Sequence, residues 1–500
     1  MSAVAGDQER RLIPRWRFTR ELPRSAEFAG DPGKTNQFDP DPRFLDEKVI
    51  EWKERRAIAT AADVVACGVT TGRVAIVEEA AQFLLDHGDN VTPSVRQLAE
   101  YALRSSDAEG SEAEGELPFL STTRTYAISE VRMARSRLTR DPRNMLAYLD
   151  LSRAYAILGQ RSQALGAMQN ALRLAPDHRY ALRAAARLFV HIGEPDRALR
   201  LLVENARTPS DPWLLAPAIA IATIADKPPR FVRRAHELIE RRGFGPQDLT
   251  EVHGAIGTLE YYAGRSAKAR RAFRSSLISP TENVVAQARW ARGRLAGIDI
   301  GEEAWNVPRS YEALCWRAVE DGAWSTATQY CSQWVQDEPF SSRPAILGSY
   351  IGISLVADPS FSEACARVGL QADSEDQTLL NNLTVALAYQ GKVDDADATF
   401  RKITGELSEH YPKYIHLATA GLLEFRRGNV VAGRALYEEA QQRAPRERRS
   451  RVLIYWTREE LQAGTERAAK MVSEATELTA RDSDAQTIRL LEVFFGPSSP

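Results

Sequence analysis

The feature that most constrains this 500-residue chain is a recurrence. Between Asn144 and Asp177, Tyr148, Leu151 and Tyr155 fall at helical spacing and Gly159 follows them. Ala164, Met168, Ala171 and Leu172 then form a second apolar face, and Pro176 closes the unit. Each position has a physical reason. A glycine can take the left-handed turn between two helices. A small Ala164 lets the helices approach closely, and Pro176 cannot continue a helix. The skeleton returns as Leu182, Phe189, Gly193, Ala198 and Leu202. It returns again as Ile256, Gly257, Gly264, Ala269, Phe273 and Leu277. Further units carry Tyr311, Leu314, Gly322, Ala327 and Pro339, then Leu380, Leu383, Gly391, Ala396 and Phe400, then Gly421, Gly428, Tyr437, Ala440 and Pro445. Weaker units fill Trp213–Arg242, Leu347–Ala372 and Val452–Ala480. One such unit cannot bury its own apolar face, so successive units must stack. The expected fold is all-α.

The pattern resembles the tetratricopeptide consensus W-x2-L-G-x2-Y…A-x3-F…P, with its unit of about 34 residues, over residues 119–480. Glu260 and Glu424 stand where the first helix usually has Tyr, and Gly433 replaces the small Ala. The resemblance implies a tetratricopeptide-like α-solenoid of superhelical helix-turn-helix repeats. Its concave surface would be lined by the first helix of each pair. It also implies a non-catalytic scaffold or adaptor that binds a protein partner there and serves as a subunit of an intracellular complex.

Composition along the chain suggests the boundaries. Residues 1–45 read as an irregular basic and aromatic arm with a Pro-rich loop, and 46–104 as an N-terminal helical module, either degenerate repeats or helices of another kind. Residues 105–118 are acidic and low in apolar content, as a flexible linker is. The repeat array takes 119–480, and 481–500 is a C-terminal cap and tail. The opening residues MSAVAGDQERRLIPRW lack the apolar run of a signal peptide, and no stretch has the roughly 20 apolar residues of a membrane span. The expectation is a cytoplasmic protein of bacterial composition without membrane insertion. Cys67, Cys315, Cys331 and Cys365 are too scattered for a zinc ribbon and read as reduced core thiols.

Charge is uneven. Residues 1–118 hold 15 basic against 22 acidic side chains, residues 119–294 hold 29 against 15, and residues 295–500 hold 21 against 30. The central basic block suits a partner with an acidic surface or segment. The alternative is a nucleic-acid-binding regulator using residues 119–294, and the competing reading is solvated outer helix faces.

No cofactor, metal or catalytic set emerges. Phe28–Thr35 (FAGDPGKT) lacks the first glycine of a phosphate loop and its flanking strand and helix. His236 and Glu237 lack the second histidine of a zinc helix, since Glu240 stands there. Ala61–Ala80 resembles a helix-turn-helix about Gly68, but offers Glu78 and Glu79 where a reading helix needs cations.

Two sets of candidate binding residues remain. The repeat resemblance points Arg153, Tyr180, Arg183, Arg187, Thr258, Tyr261, Arg309, Trp316 and Asn381 into the groove. The arm QERRLIPRWRFTRELPR contributes Arg15, Trp16, Arg17 and Phe18, residue types enriched at binding hot spots. It suits docking on a partner or self-association, and the competing readings are a disordered basic tail or an arm packed on its own array.

Overall fold

The computed structural model describes residues 12–19, 42–71, 77–107, 118–241, 243–480 and 484–496, and these contain no strand. The chain separates into two compact units, Arg10–Ala313 and one containing Leu314–Pro500.

The first unit opens with α1 (Pro42–Glu54), α2 (Ile58–Thr71), α3 (Glu78–Asp86), α4 (Pro93–Asp107) and α5 (Pro118–Arg140). Trp52, Val65, Cys67, Leu84 and Leu98 of α1–α4 share a core with Ile128 and Met133 of α5. Gly68 lies inside α2, so the turn expected there does not form at that glycine. Of the segment 105–118, the ends belong to α4 and α5, and 108–117 lie outside the described residues. Four hairpins follow: α6 (Met145–Ile157) with α7 (Arg161–Leu174), α8 (Arg179–His191) with α9 (Pro195–Glu204), α10 (Pro212–Ile224) with α11 (Val232–Glu240), and α12 (Pro246–Tyr262) with α13 (Ser266–Ser276). Then come α14 (Glu282–Arg292) and the short α15 (Glu302–Trp305). The boundary between units falls within α16 (Tyr311–Glu320).

The second unit continues with α17 (Trp324–Asp337) and then pairs α18 (Ser342–Ser354) with α19 (Pro359–Ala372) and α20 (Gln377–Tyr389) with α21 (Val393–Phe400). Next are α22 (Lys413–Arg426) with α23 (Val430–Arg443), α24 (Arg449–Gln462) with α25 (Ala468–Ala480), and a final helix, α26 (Ala485–Phe495). In both units the first helices of successive pairs pack on one another.

Local chemistry explains the boundaries. The hairpin turns at Gly159, Gly193, Gly264, Gly322, Gly391 and Gly428 all have φ between 68° and 83°, the left-handed region that a side chain resists. Short polar residues start the next helix. Asn144, Asp211, Thr281 and Asp376 each accept a hydrogen bond from a first-turn N–H of α6, α10, α14 and α20. The departures from the consensus also have causes. A Cβ on Gly433 would come within 2.5 Å of the Phe425 ring, and one on Gly421 within 2.8 Å of Tyr437, so α22 and α23 cross too closely for alanine. Glu260 is buried and paired with Arg265, and Glu424 pairs with Arg427.

Candidate functional site

The first unit presents a cleft whose lining comes from α5, from the first helices α6, α8, α10, α12 and α14, and from Glu312. Residues 12–19 lie in it, 12–18 of them as a non-helical segment. Leu12, Trp16 and Phe18 are buried to 1% exposure or less, and Arg15 and Arg17 are also buried.

Main-chain groups hold the segment at four points. Arg153 Nε donates to the Trp16 carbonyl at 2.9 Å, and Tyr180 Oη donates to that of Arg17. Asn283 Nδ2 donates to the Ile13 carbonyl at 3.1 Å, and the Thr19 N–H donates to Asp150 Oδ1 at 2.7 Å. The side chains divide by chemistry. Arg15 pairs with Glu312, and Arg17 pairs with Glu282 at 2.6 Å. Phe18 lies under the Arg153 guanidinium, 4.2 Å from its ring centroid, and meets Tyr126 edge-on at 5.9 Å. Leu12 seats against Gly254, where an added Cβ would stand 2.7 Å from Leu12 Cδ1. Ile219, Ala220, Ala255 and Thr258 complete that seat, with residual space of only about 10 Å³.

Behind this lining sits a polar core. Arg183 is fully buried, pairs with Glu251 at 2.9 and 3.2 Å and donates to the Trp213 carbonyl at 2.7 Å. Glu251 also accepts from Asn283 at 3.2 Å, so the inner ion pair touches a residue that holds the arm. Asp150, besides Thr19, accepts from Arg137 at 3.0 Å. A buried guanidinium requires such partners, because uncompensated charge away from water is costly.

The remaining sequence candidates are dispersed. Arg187 is buried near His191, whose pKa falls to about 4 through burial first and the Arg187 and Arg161 charges next. Thr258 donates to the Gly254 carbonyl and accepts from Gln287. Tyr261 packs edge-on against Trp290 at 5.6 Å, beside a half-exposed Tyr262. Arg309 is in the link before α16 with a left-handed φ of 62°, and Trp316 is buried in α16. Asn381 belongs to the second unit's interior, where it accepts from Tyr411 and Thr419. The cleft thus gathers Arg153 and Tyr180 with all four arm residues, with Thr258 at its Leu12 end. Arg183 and Arg187 do not present an open basic surface: Arg183 is spent on Glu251 and both are buried. Sequence reasoning missed Asp150, Glu251, Glu282 and Glu312. Their available signal was a carboxylate on each of the first helices α6, α12, α14 and α16.

The second unit carries α26 on its own first-helix face. Arg451 of α24 ties Thr487 at 2.9 Å and Tyr350 of α18 at 3.0 Å, and pairs with Asp484. Phe494 packs between Tyr455 and Tyr389, with the Arg458 guanidinium 4.4 Å from its ring centroid. Burial pushes the Tyr389 hydroxyl up to about 12.

Among the described residues no helix is long and apolar enough to cross a membrane, and no three His, Cys, Asp or Glu side chains are grouped to hold a metal. All four cysteines are buried thiols. His236 is exposed beside Glu237, which pairs with Arg234. Phe28–Thr35 lies outside the described residues.

No family model and no curated protein matches the chain. Among solved structures it is similar to yeast Tom70, at 14% identity and a TM-score of 0.30, covering 74% of this chain and 91% of that one. It is also similar to the APC/C hetero-tetramer Cut9–Hcn1, at 10% identity and a TM-score of 0.38, covering 90% and 92%. Its own helix pairs, with glycine at the left-handed turn and a small residue at the crossing, are the stacked helical hairpins that the tetratricopeptide resemblance implies.

Proposed function

We propose that the chain is a non-catalytic scaffold that holds an acidic protein partner on the outer, second-helix face of its first unit, as a subunit of a cytoplasmic complex. One observation carries this reading. The first-helix face is filled by the chain's own arm, whereas exposed cations line the second helices: Arg173 on α7, Arg200 on α9, Arg233 on α11, and Lys268, Arg271 and Arg274 on α13. Neither α7 nor α13 contains a carboxylate. On α7 and α13, therefore, unbalanced positive charge reaches solvent, where it attracts negative charge.

The test is affinity capture at moderate salt with wild type and with Arg271→Glu plus Arg274→Glu. Loss of an acidic partner in the variant, with unchanged circular dichroism, supports the assignment. Equal capture by both proteins contradicts it. The same exposed cations favour a second reading, nucleic-acid binding, whose affinity must fall steeply with salt. Nuclease treatment separates the two: capture that survives it is protein-borne. Absence of any mobility shift with DNA or RNA at low salt removes the second reading.

A further inference from the structure

The cleft of the first unit treats residues 12–19 as a receptor treats a ligand. Four contacts go to main-chain atoms and do not depend on the bound side chains: Arg153 and Tyr180 on carbonyls, Asn283 on a third carbonyl, and Asp150 on an N–H. They set the register. The side chains then alternate as they do in an extended chain, where residues two apart share a side. Arg15 and Arg17 meet Glu312 and Glu282, while Trp16 and Phe18 are fully buried, Phe18 edge-on to Tyr126. Leu12 fills a seat opened by the absent side chain of Gly254. This is the donor, acceptor and pocket pattern of extended-peptide recognition.

We propose that this cleft receives, from another protein, an extended segment of alternating arginine and aromatic residues, and that residues 12–19 are its intramolecular competitor. A tethered arm faces its cleft at an effective concentration in the millimolar range. A second copy's arm, with equal contacts, cannot displace it at micromolar protein. A foreign segment succeeds by adding contacts or by meeting a released arm. The cis arm therefore keeps the cleft closed until a stronger segment arrives. This assignment is independent of the outer-face reading, because none of its residues lies on the exposed second helices.

The probe is a labelled peptide, LIPRWRFT, followed by fluorescence anisotropy with the full-length protein. Wild type binds it weakly, because the arm competes. Arg17→Ala weakens the arm and raises the apparent affinity about tenfold, the factor lost from the arm's closing equilibrium. A peptide with both arginines replaced by glutamate does not bind, and Glu282→Gln added to Arg17→Ala lowers the affinity for the native peptide. No binding to Arg17→Ala or Trp16→Ala, with native circular dichroism, would overturn the proposal and leave the arm a structural strap. Arg17→Ala keeps the buried tryptophan, so the test stands even if Trp16→Ala fails to fold. Concentration-dependent dimerisation of Arg17→Ala at micromolar protein would also overturn it, by making a second copy the occupant.

Discussion

Both units place a terminal segment of the chain on their first-helix face, but by different physics. In the first unit the segment is extended and basic. Its main chain is hydrogen-bonded by the array, and its arginines meet Glu282 and Glu312. In the second unit the segment is the helix α26, which satisfies its own main chain. Arg451 ties its start, and Leu490, Leu491 and Phe494 pack it down. An extended segment spends its backbone groups on the receptor, so it is read residue by residue and fits only one register. A helix offers the array mainly an apolar stripe. The first arrangement suits exchange for a similar segment, and the second suits permanent closure.

The largest expected effect lies beneath the first cleft. Arg183→Ala leaves Glu251 buried without its cation and costs about 3–5 kcal/mol. Thermal denaturation followed by hydrogen exchange should place that loss in the first unit and leave α18–α26 unchanged. Equal loss in both units would erase the distinction between them.

Trp16→Ala comes next. It empties a fully buried site, at a cost of about 3–5 kcal/mol where the ring is integral to the fold. If the arm is a displaceable ligand, the array keeps its helices and loses only the arm's share. Phe494→Ala, at a half-buried ring, should loosen α26 by less. A Trp16→Ala protein that loses helical structure throughout the first unit would make the arm an integral strand of that unit.

Acid should separate the units further. Burial lowers the folded pKa of His178, His191 and His253 in the first unit, and of His416 in the second. A lowered histidine contributes stability above its unfolded pKa of about 6.5 and loses it as pH falls toward the folded value, about 4 for His191. Glu459 in the second unit has a raised folded pKa, caused by burial, so its protonation favours the folded state as pH falls. Between pH 6.5 and 4.5 the first unit should lose more stability than the second, as read by unit-resolved hydrogen exchange. A steeper loss in the second unit would contradict this.

The smallest effect on stability is expected from Gly254→Ala. Alanine in place of glycine favours a helix by about 1 kcal/mol, while the new methyl pushes on Leu12 from 2.7 Å. The two should nearly cancel in the melting temperature, yet the arm should open more often.

The hairpins were legible because they repeat. Glycine at a left-handed turn and alanine at a helix crossing are local requirements, and they print themselves at each unit. Gly433 looked like a defect, but it answers the close Phe425 ring. The arm was conspicuous by composition, since arginines alternating with Trp16 and Phe18 are unusual in an irregular segment. Its seat was not legible. Arg153 and Trp16, or Glu312 and Arg15, meet across long sequence separations that carry no periodic sign. Arginines of the first helices read as groove charge, because a single helix does not reveal that Glu251 lies opposite Arg183. A carboxylate in each of several first helices was the available clue. Its meaning depended on which helices the fold brought together.

The most direct test of the central claim is the rate at which trypsin cuts after Arg15 and Arg17 in the full-length protein, timed by mass spectrometry against the free peptide LIPRWRFT. A seated arm must open before its buried arginines reach the protease, so cleavage tracks the open population. The account predicts that wild type is cut far more slowly than the peptide, with Gly254→Ala and then Arg17→Ala (read at Arg15) progressively faster. Wild-type cleavage as fast as that of the free peptide would contradict it.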